Sequence, residues 1–163
     1  MSSRTLGKCF VALLLLAGAS AATGQQMPNP YGPPVTLDDA KKAAEQALAE
    51  ARKNNWRVAV AVVDPSGTLV YFERLDNTQN GSIHVAIDKA RSSALFKRPT
   101  KSFQDTLAAG GDGWRVLKFE GAMPVEGGVP LLLDGKIVGA IGVSGATSAQ
   151  DAQCAKAGAD AVK

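Results

Sequence analysis

The sequence predicts an α+β protein: a five-stranded antiparallel sheet with helices packed on its faces. Two observations carry this. Asp64-Pro65-Ser66-Gly67 and Asp134-Gly135 each join two apolar runs, and strands linked by such short turns are antiparallel. Helical stripes fall before, between and after these hairpins, an order that does not fit a doubly wound parallel sheet.

At the N-terminus, Arg4 and Lys8 precede an apolar run from Cys9 to Ala17, and Ala19-Ser20-Ala21 follows. This is the pattern of a cleavable secretory signal peptide over residues 1–21, too short to span a membrane as a helix. The expected localisation is periplasmic or secreted. Residues 22–35 carry four prolines and are expected to form an extended, mobile arm, with Tyr31 as a local anchor. Residues 36–163 then form the domain.

Thr36 is the expected N-cap of the first helix, whose apolar positions are Leu37, Ala40, Ala44, Ala47, Leu48 and Ala51, ending near Asn54-Asn55. The first hairpin pairs Arg57–Asp64 with Leu69–Arg74. A second helix presents Ile83, Ala86, Ile87, Ala90 and Ala94 and stops at Pro99. Thr100 is the expected cap of a third helix from Lys101 to Ala109. Gly110-Gly111-Asp112-Gly113 breaks that helix, and Trp114–Phe119 reads as a short strand. The second hairpin pairs Val129–Leu133 with Ile137–Val143. Ser148 is the expected cap of a final helix over 149–162.

Composition excludes several functions. The chain has 163 residues, 45% hydrophobic and 20% charged, which suits one globular domain. Cleavage of the leader removes two of the 18 basic residues and none of the 15 acidic ones, taking the formal charge from +3 to +1. This weak, scattered charge is no nucleic-acid footprint. With two Cys and one His, most zinc sites are excluded. The mature chain keeps only Cys154, read as a buried small hydrophobe, with an intermolecular disulfide or a soft metal ligand as alternatives. Asp64 and Asp76 stand where turns form and are not read as a catalytic pair. Trp56 is expected to cover the first helix against the sheet.

Several segments in order resemble the GlcG/HbpS family of small haem-binding proteins, a domain also found at the C-terminal end of PduO-type proteins. They are Ala61-Val62-Val63-Asp64-Pro65-Ser66-Gly67, Arg74-Leu75-Asp76, Ile83 to Ala90 with Asp88-Lys89-Ala90, and Phe96-Lys97-Arg98-Pro99-Thr100. Gly127-Gly128-Val129-Pro130, Gly139 to Gly145, Gln150-Asp151 and Cys154-Ala155 complete the set. The resemblance implies a profilin-like fold, a homo-oligomer, and binding of haem and sometimes free iron; the leading expectation is an exported, non-enzymatic haem-binding protein. Gly139, Gly142 and Gly145, every third residue of the last strand, read as points of close backbone approach by a helix or a flat ligand.

His84 is the sole imidazole and lies in the first turn of its helix, a quarter-turn from the apolar stripe. A helix start suits a neutral imidazole able to bind metal, and Asp88, four residues on, is placed to accept its other ring N–H. His84 is therefore the expected iron ligand. Thr100 is an alternative oxygen ligand. Arg98 and Lys101, with Lys97, form a cluster suited to haem propionates. Phe96, Phe103, Trp114 and Met123 could supply an apolar wall or simply core. Two other functions remain open: a binding module for another small metabolite, and a haem-degrading accessory protein.

Overall fold

The computed structural model describes residues 28–162. The expected leader, Cys9 and the start of the arm lie outside the described residues. The elements are α1 (Leu37–Lys53), β1 (Ala59–Val63), β2 (Leu69–Arg74), α2 (Ser82–Leu95), α3 (Lys101–Ala108), a 3₁₀ helix (Gly111–Lys118), β3 (Gly128–Leu133), β4 (Lys136–Ser144) and α4 (Ser148–Ala159).

The sheet is antiparallel, in the order β2-β1-β4-β3. It has four strands, not five. The expected fifth, Trp114–Phe119, is instead the 3₁₀ helix. Gly110 and Gly111 take positive φ at its start, and Gly113 packs so closely that a Cβ there would overlap the Thr106 carbonyl. Val116 is the buried side chain of this segment, and Asp112 pairs with Arg115 three residues on, contacts that a strand's alternation does not provide.

Strand parity divides the core. Val58, Val60 and Val62 face α1 and α4, together with Leu131, Ile141 and Val143. Ala59, Ala61 and Val63 face α2, together with Ala140. The first face is filled by branched side chains against Leu48 and the alanines of α1. The second is so flat that α2 rests on backbone: a Cβ on Gly142 would overlap the Ala86 carbonyl and lie 2.5 Å from the Ala90 nitrogen. At Gly142 the close neighbour is therefore a helix, whereas at Gly139 and Gly145 it is the backbone of β1 and of the residues just before it, at Val63 and Arg57.

Caps agree with the sequence in one helix and differ in two. Thr36 accepts the Asp39 N–H, as expected. The α4 cap is Thr147 rather than Ser148, because Thr147 and Gln150 form a reciprocal capping box. Thr100 does not cap α3 with its side chain; the hydroxyl is drawn to β3, as described below. Leu37, expected in the α1 stripe, is 49% exposed, while Ala43 is buried in it. Trp56 packs beside the α1 face as expected.

Over its described part the arm is docked on β4. Ile137 donates to the Pro30 carbonyl at 2.8 Å, Gly32 donates to Ile137 at 2.8 Å, and Val35 donates to Val138 at 2.7 Å. These bonds run beside the part of β4 that extends beyond its pairing with β1. Tyr31 anchors the arm at a distance: its hydroxyl donates to the carbonyls of Ala94 and Leu95 at 2.9 and 3.2 Å.

Candidate functional site

The end of α2 sets up the site. The Lys97 N–H donates to Ala94 and the Arg98 N–H to Ser93. This is the Schellman arrangement, in which the residue after the cap turns left-handed and is usually glycine, with an apolar residue next. Here Lys97 takes that place at φ 55°, and Arg98 follows. A left-handed non-glycine residue costs on the order of 1 kcal/mol or more. Two cations thus stand where the local rules ask for glycine and an apolar side chain.

Both line a cleft of about 640 Å³. Its apolar lining includes Pro99, Val129, Pro130 and Leu132, and the arm contributes Pro28 and Asn29. A second cleft of about 530 Å³ shares Pro99, Val129, Pro130 and Leu132 and extends past Gly127 and Gly128 to Lys156 and Val162 of the α4 end. The two meet at the edge strand β3, where Pro130 sits as a residue that cannot donate to another strand. Both volumes fall in the range of small-molecule sites, about 300–1,000 Å³.

The charges differ between the clefts. Lys101 lines the second cleft and is paired with Asp105 at 2.6 Å, which raises its pKa. Lys156 is paired with Asp160 at 2.7 Å. Among the described residues, Lys97 and Arg98 have no carboxylate partner. The Lys97 ammonium instead lies 4.1 Å from the centre of the Tyr31 ring. Arg98 lies 5.4 Å from the Phe103 ring, and its Nε donates to the Phe96 carbonyl.

Thr100 is fully buried. Its Oγ1 accepts the Gly128 N–H at 2.9 Å, and its own N–H donates to the Gly128 carbonyl at 3.0 Å. It fastens the α2–α3 junction to β3, between the two clefts. Arg98, Thr100 and Lys101 are therefore brought together. His84 and Asp88 are not: both are exposed, neither lines a cleft, and no hydrogen bond links them among the described residues. The reason is a rotation of α2. Its buried face runs through Ala86, Lys89, Ala90 and Ser93, roughly 70° from the stripe centred on Ile83 and Ile87, at about 100° per residue. His84 is carried to the outward side. Of the proposed apolar wall, Phe96 and Phe103 meet edge to face at 5.1 Å. Trp114 is 65% exposed, and none of the four lines either cleft.

Lys89 is the residue the sequence reading passed over. Its Nζ is buried and donates to Asp151 at 2.8 Å and to the Val143 carbonyl at 3.0 Å. Asp151 also accepts the Ala146 N–H. The pair joins α2, β4 and α4 directly beneath Gly127. Burial pushes the Asp151 carboxyl up, and Lys89 pulls it back only in part. A lysine one residue before Ala90, on an otherwise small-residue face, was the available signal. Cys154 is buried, and burial beside Asp151 and Glu50 pushes its thiol up to about 12, as the reading of an inert small hydrophobe expects. Asp64 is a turn former: its carboxylate accepts from Ser66 and Thr68. Burial raises it, but these hydrogen bonds outweigh burial and leave its pKa lowered. No three His, Cys, Asp or Glu side chains converge among the described residues, and no described helix is long and apolar enough to cross a membrane.

A family model described as "Haem degrading protein HbpS-like" matches residues 35–160. The chain belongs to the HbpS-like family. Its relatives include Escherichia coli (strain K12) protein GlcG, 43% identical over 95 residues that cover 58% of this chain and 69% of GlcG. A double mutant of Streptomyces reticuli HbpS is 30% identical, with TM-score 0.73 over 94% of this chain and 99% of that one. A PduOC:heme complex shares the fold alone, at 23% identity and TM-score 0.72, covering 80% and 96% of the two chains. The fold of this chain is thus the α+β arrangement expected, with a sheet of four strands.

Proposed function

We propose that this HbpS-like chain is an exported, homo-oligomeric, non-enzymatic protein that holds haem. The observation that carries the reading is the cleft along β3, apolar on its walls and bordered by two cations without carboxylate partners. Haem is a flat apolar ring with two carboxylates, and these residues fit it: Pro99, Val129, Pro130 and Leu132 for the ring, Lys97 and Arg98 for the propionates. Lys101, at the adjoining cleft, extends the cationic border. The haem chemistry of the HbpS-like family and the haem complex of PduOC supply the ligand's identity. When bound, haem supplies iron-centred ligand binding; the chain supplies burial and charge. Iron alone is the other expected guest. His84 is the proposed iron ligand, and because it lines neither cleft it would come from a second copy in the oligomer.

The test is a haemin titration of the mature protein, followed by the Soret band. A saturable shift is expected; no shift and no saturable binding overturns the reading. His84→Ala is expected to change the spectrum while retaining binding, and an unchanged spectrum rejects only the ligand assignment. The family description favours one second reading, haem degradation. Under peroxide, loss of the Soret band with iron release faster than for free haem would establish it. Stabilisation by organic acids but not haem would point to another metabolite.

A further inference from the structure

We infer that the N-terminal arm is a wall of the carboxylate end of the cleft, and that Tyr31 is the positioning residue that sets the Lys97 ammonium there. The ligand's identity rests on the haem reading; the docking of the arm does not.

The need for such a device follows from helix physics. The carbonyls at a helix C-terminus form a negative end, which disfavours a nearby anion. Carboxylate binding at the end of α2 therefore requires those carbonyls to be occupied and positive charge to be fixed beside them. Tyr31 meets both requirements. Its hydroxyl donates to Ala94 and Leu95, two carbonyls of the last turn of α2. Its ring holds the Lys97 ammonium at 4.1 Å, an attraction that positions a cation without neutralising it. Burial raises the Tyr31 pKa, which keeps the hydroxyl a donor.

The arm fixes Tyr31 in turn. Pro30 and Gly32 are hydrogen-bonded to Ile137 on either side of it. A Cβ on Gly32 would lie 2.9 Å from the Lys136 Cβ, so the arm lies close on β4. Pro28 and Asn29, just before it, line the same cleft as Lys97 and Arg98. The left-handed backbone at Lys97 is the independent sign. Glycine would serve the helix end better, so a lysine held there points to use of its charge.

The experiment uses the full mature chain with haemin and with anilinonaphthalene sulfonate, an apolar anionic dye. Lys97→Gly is expected to weaken binding roughly tenfold while melting at or above the wild-type temperature, since glycine relieves the backbone. Lys97→Arg is expected to keep binding within about threefold. Tyr31→Leu is expected to weaken binding about fivefold and to speed amide exchange at Gly32 and Ile137, with Tyr31→Phe between it and wild type. Lys42→Gln, on the outside of α1, is the unchanged control. Lys97→Gly binding as wild type, or Tyr31→Leu speeding exchange with no change in affinity, overturns the inference. Uptake of the dye but not haemin by the wild type removes the haem reading, and the variants then decide the inference on the dye. Uptake of neither removes both.

Discussion

The two faces of the sheet are built on opposite terms. Against α1 and α4, valine, leucine and isoleucine fill space, so contact is between side chains. Against α2, alanine and glycine leave none to fill, and helix backbone lies on strand backbone. A side-chain face adapts by changing rotamers, whereas a backbone face has no soft degree of freedom. This fold therefore keeps its precision on the α2 face. The features beside the clefts, the turn at Lys97 and the Thr100 clasp on Gly128, both hang from the rigid face.

The two faces should differ most at Gly142. Adding one methyl there, Gly142→Ala, should force α2 off the sheet and cost about 4 kcal/mol or more. Thermal melting checks it against Ile141→Val on the other face, where losing one methylene should cost only about 1 kcal/mol. Equal costs would mean that the faces do not differ.

The buried ion pair sharpens the contrast. Asp151→Asn leaves the Lys89 ammonium buried without a countercharge and should cost about 3–5 kcal/mol. Lys89→Met leaves a carboxyl that can take up a proton, so its deficit should depend on pH. A carboxyl whose folded pKa is raised by burial stabilises the fold fully below its unfolded value of about 3.9 and loses that contribution as pH rises through the folded value. The Lys89→Met protein should therefore melt closer to wild type at pH 5 than at pH 7, measured by calorimetry. A constant gap would deny that Asp151 is the group left behind.

The smallest effect belongs to the turn between β1 and β2. Hydrogen bonds from Ser66 and Thr68 lower the Asp64 pKa despite burial. The stability they add is present above the unfolded value and is lost as pH falls through the folded one. Asp64→Ala should cost about 1–2 kcal/mol at pH 7 and less as the solution is acidified, with melting curves at several pH values as the check.

Most of the fold was legible because it is local. Turn chemistry at Asp64–Gly67 and Asp134-Gly135, the Thr36 cap and the helical alanine stripes each act within a few residues. What sequence periodicity missed depends on distant partners. The face of α2 is chosen by what lies beneath it: the small residues of β1 and β4 draw in Ala86, Lys89, Ala90 and Ser93, and His84 turns outward. Thr100 carries the right chemistry for a cap, yet its hydroxyl goes to Gly128, 28 residues away. The Thr147–Gln150 box was readable and was displaced by one residue in favour of Ser148. The cationic cluster was legible as composition. Its division into paired Lys101 and unpaired Lys97 and Arg98 was not, because Asp105 and Tyr31 decide it.

The sulfur of Cys154 lies sealed between α4 and the sheet, with no reactive anion available at ordinary pH. An alkylating reagent can meet it only after the molecule comes apart. The chain thereby carries a built-in reporter of its own opening, and the speed of its modification would count excursions from the native state that no other described side chain records.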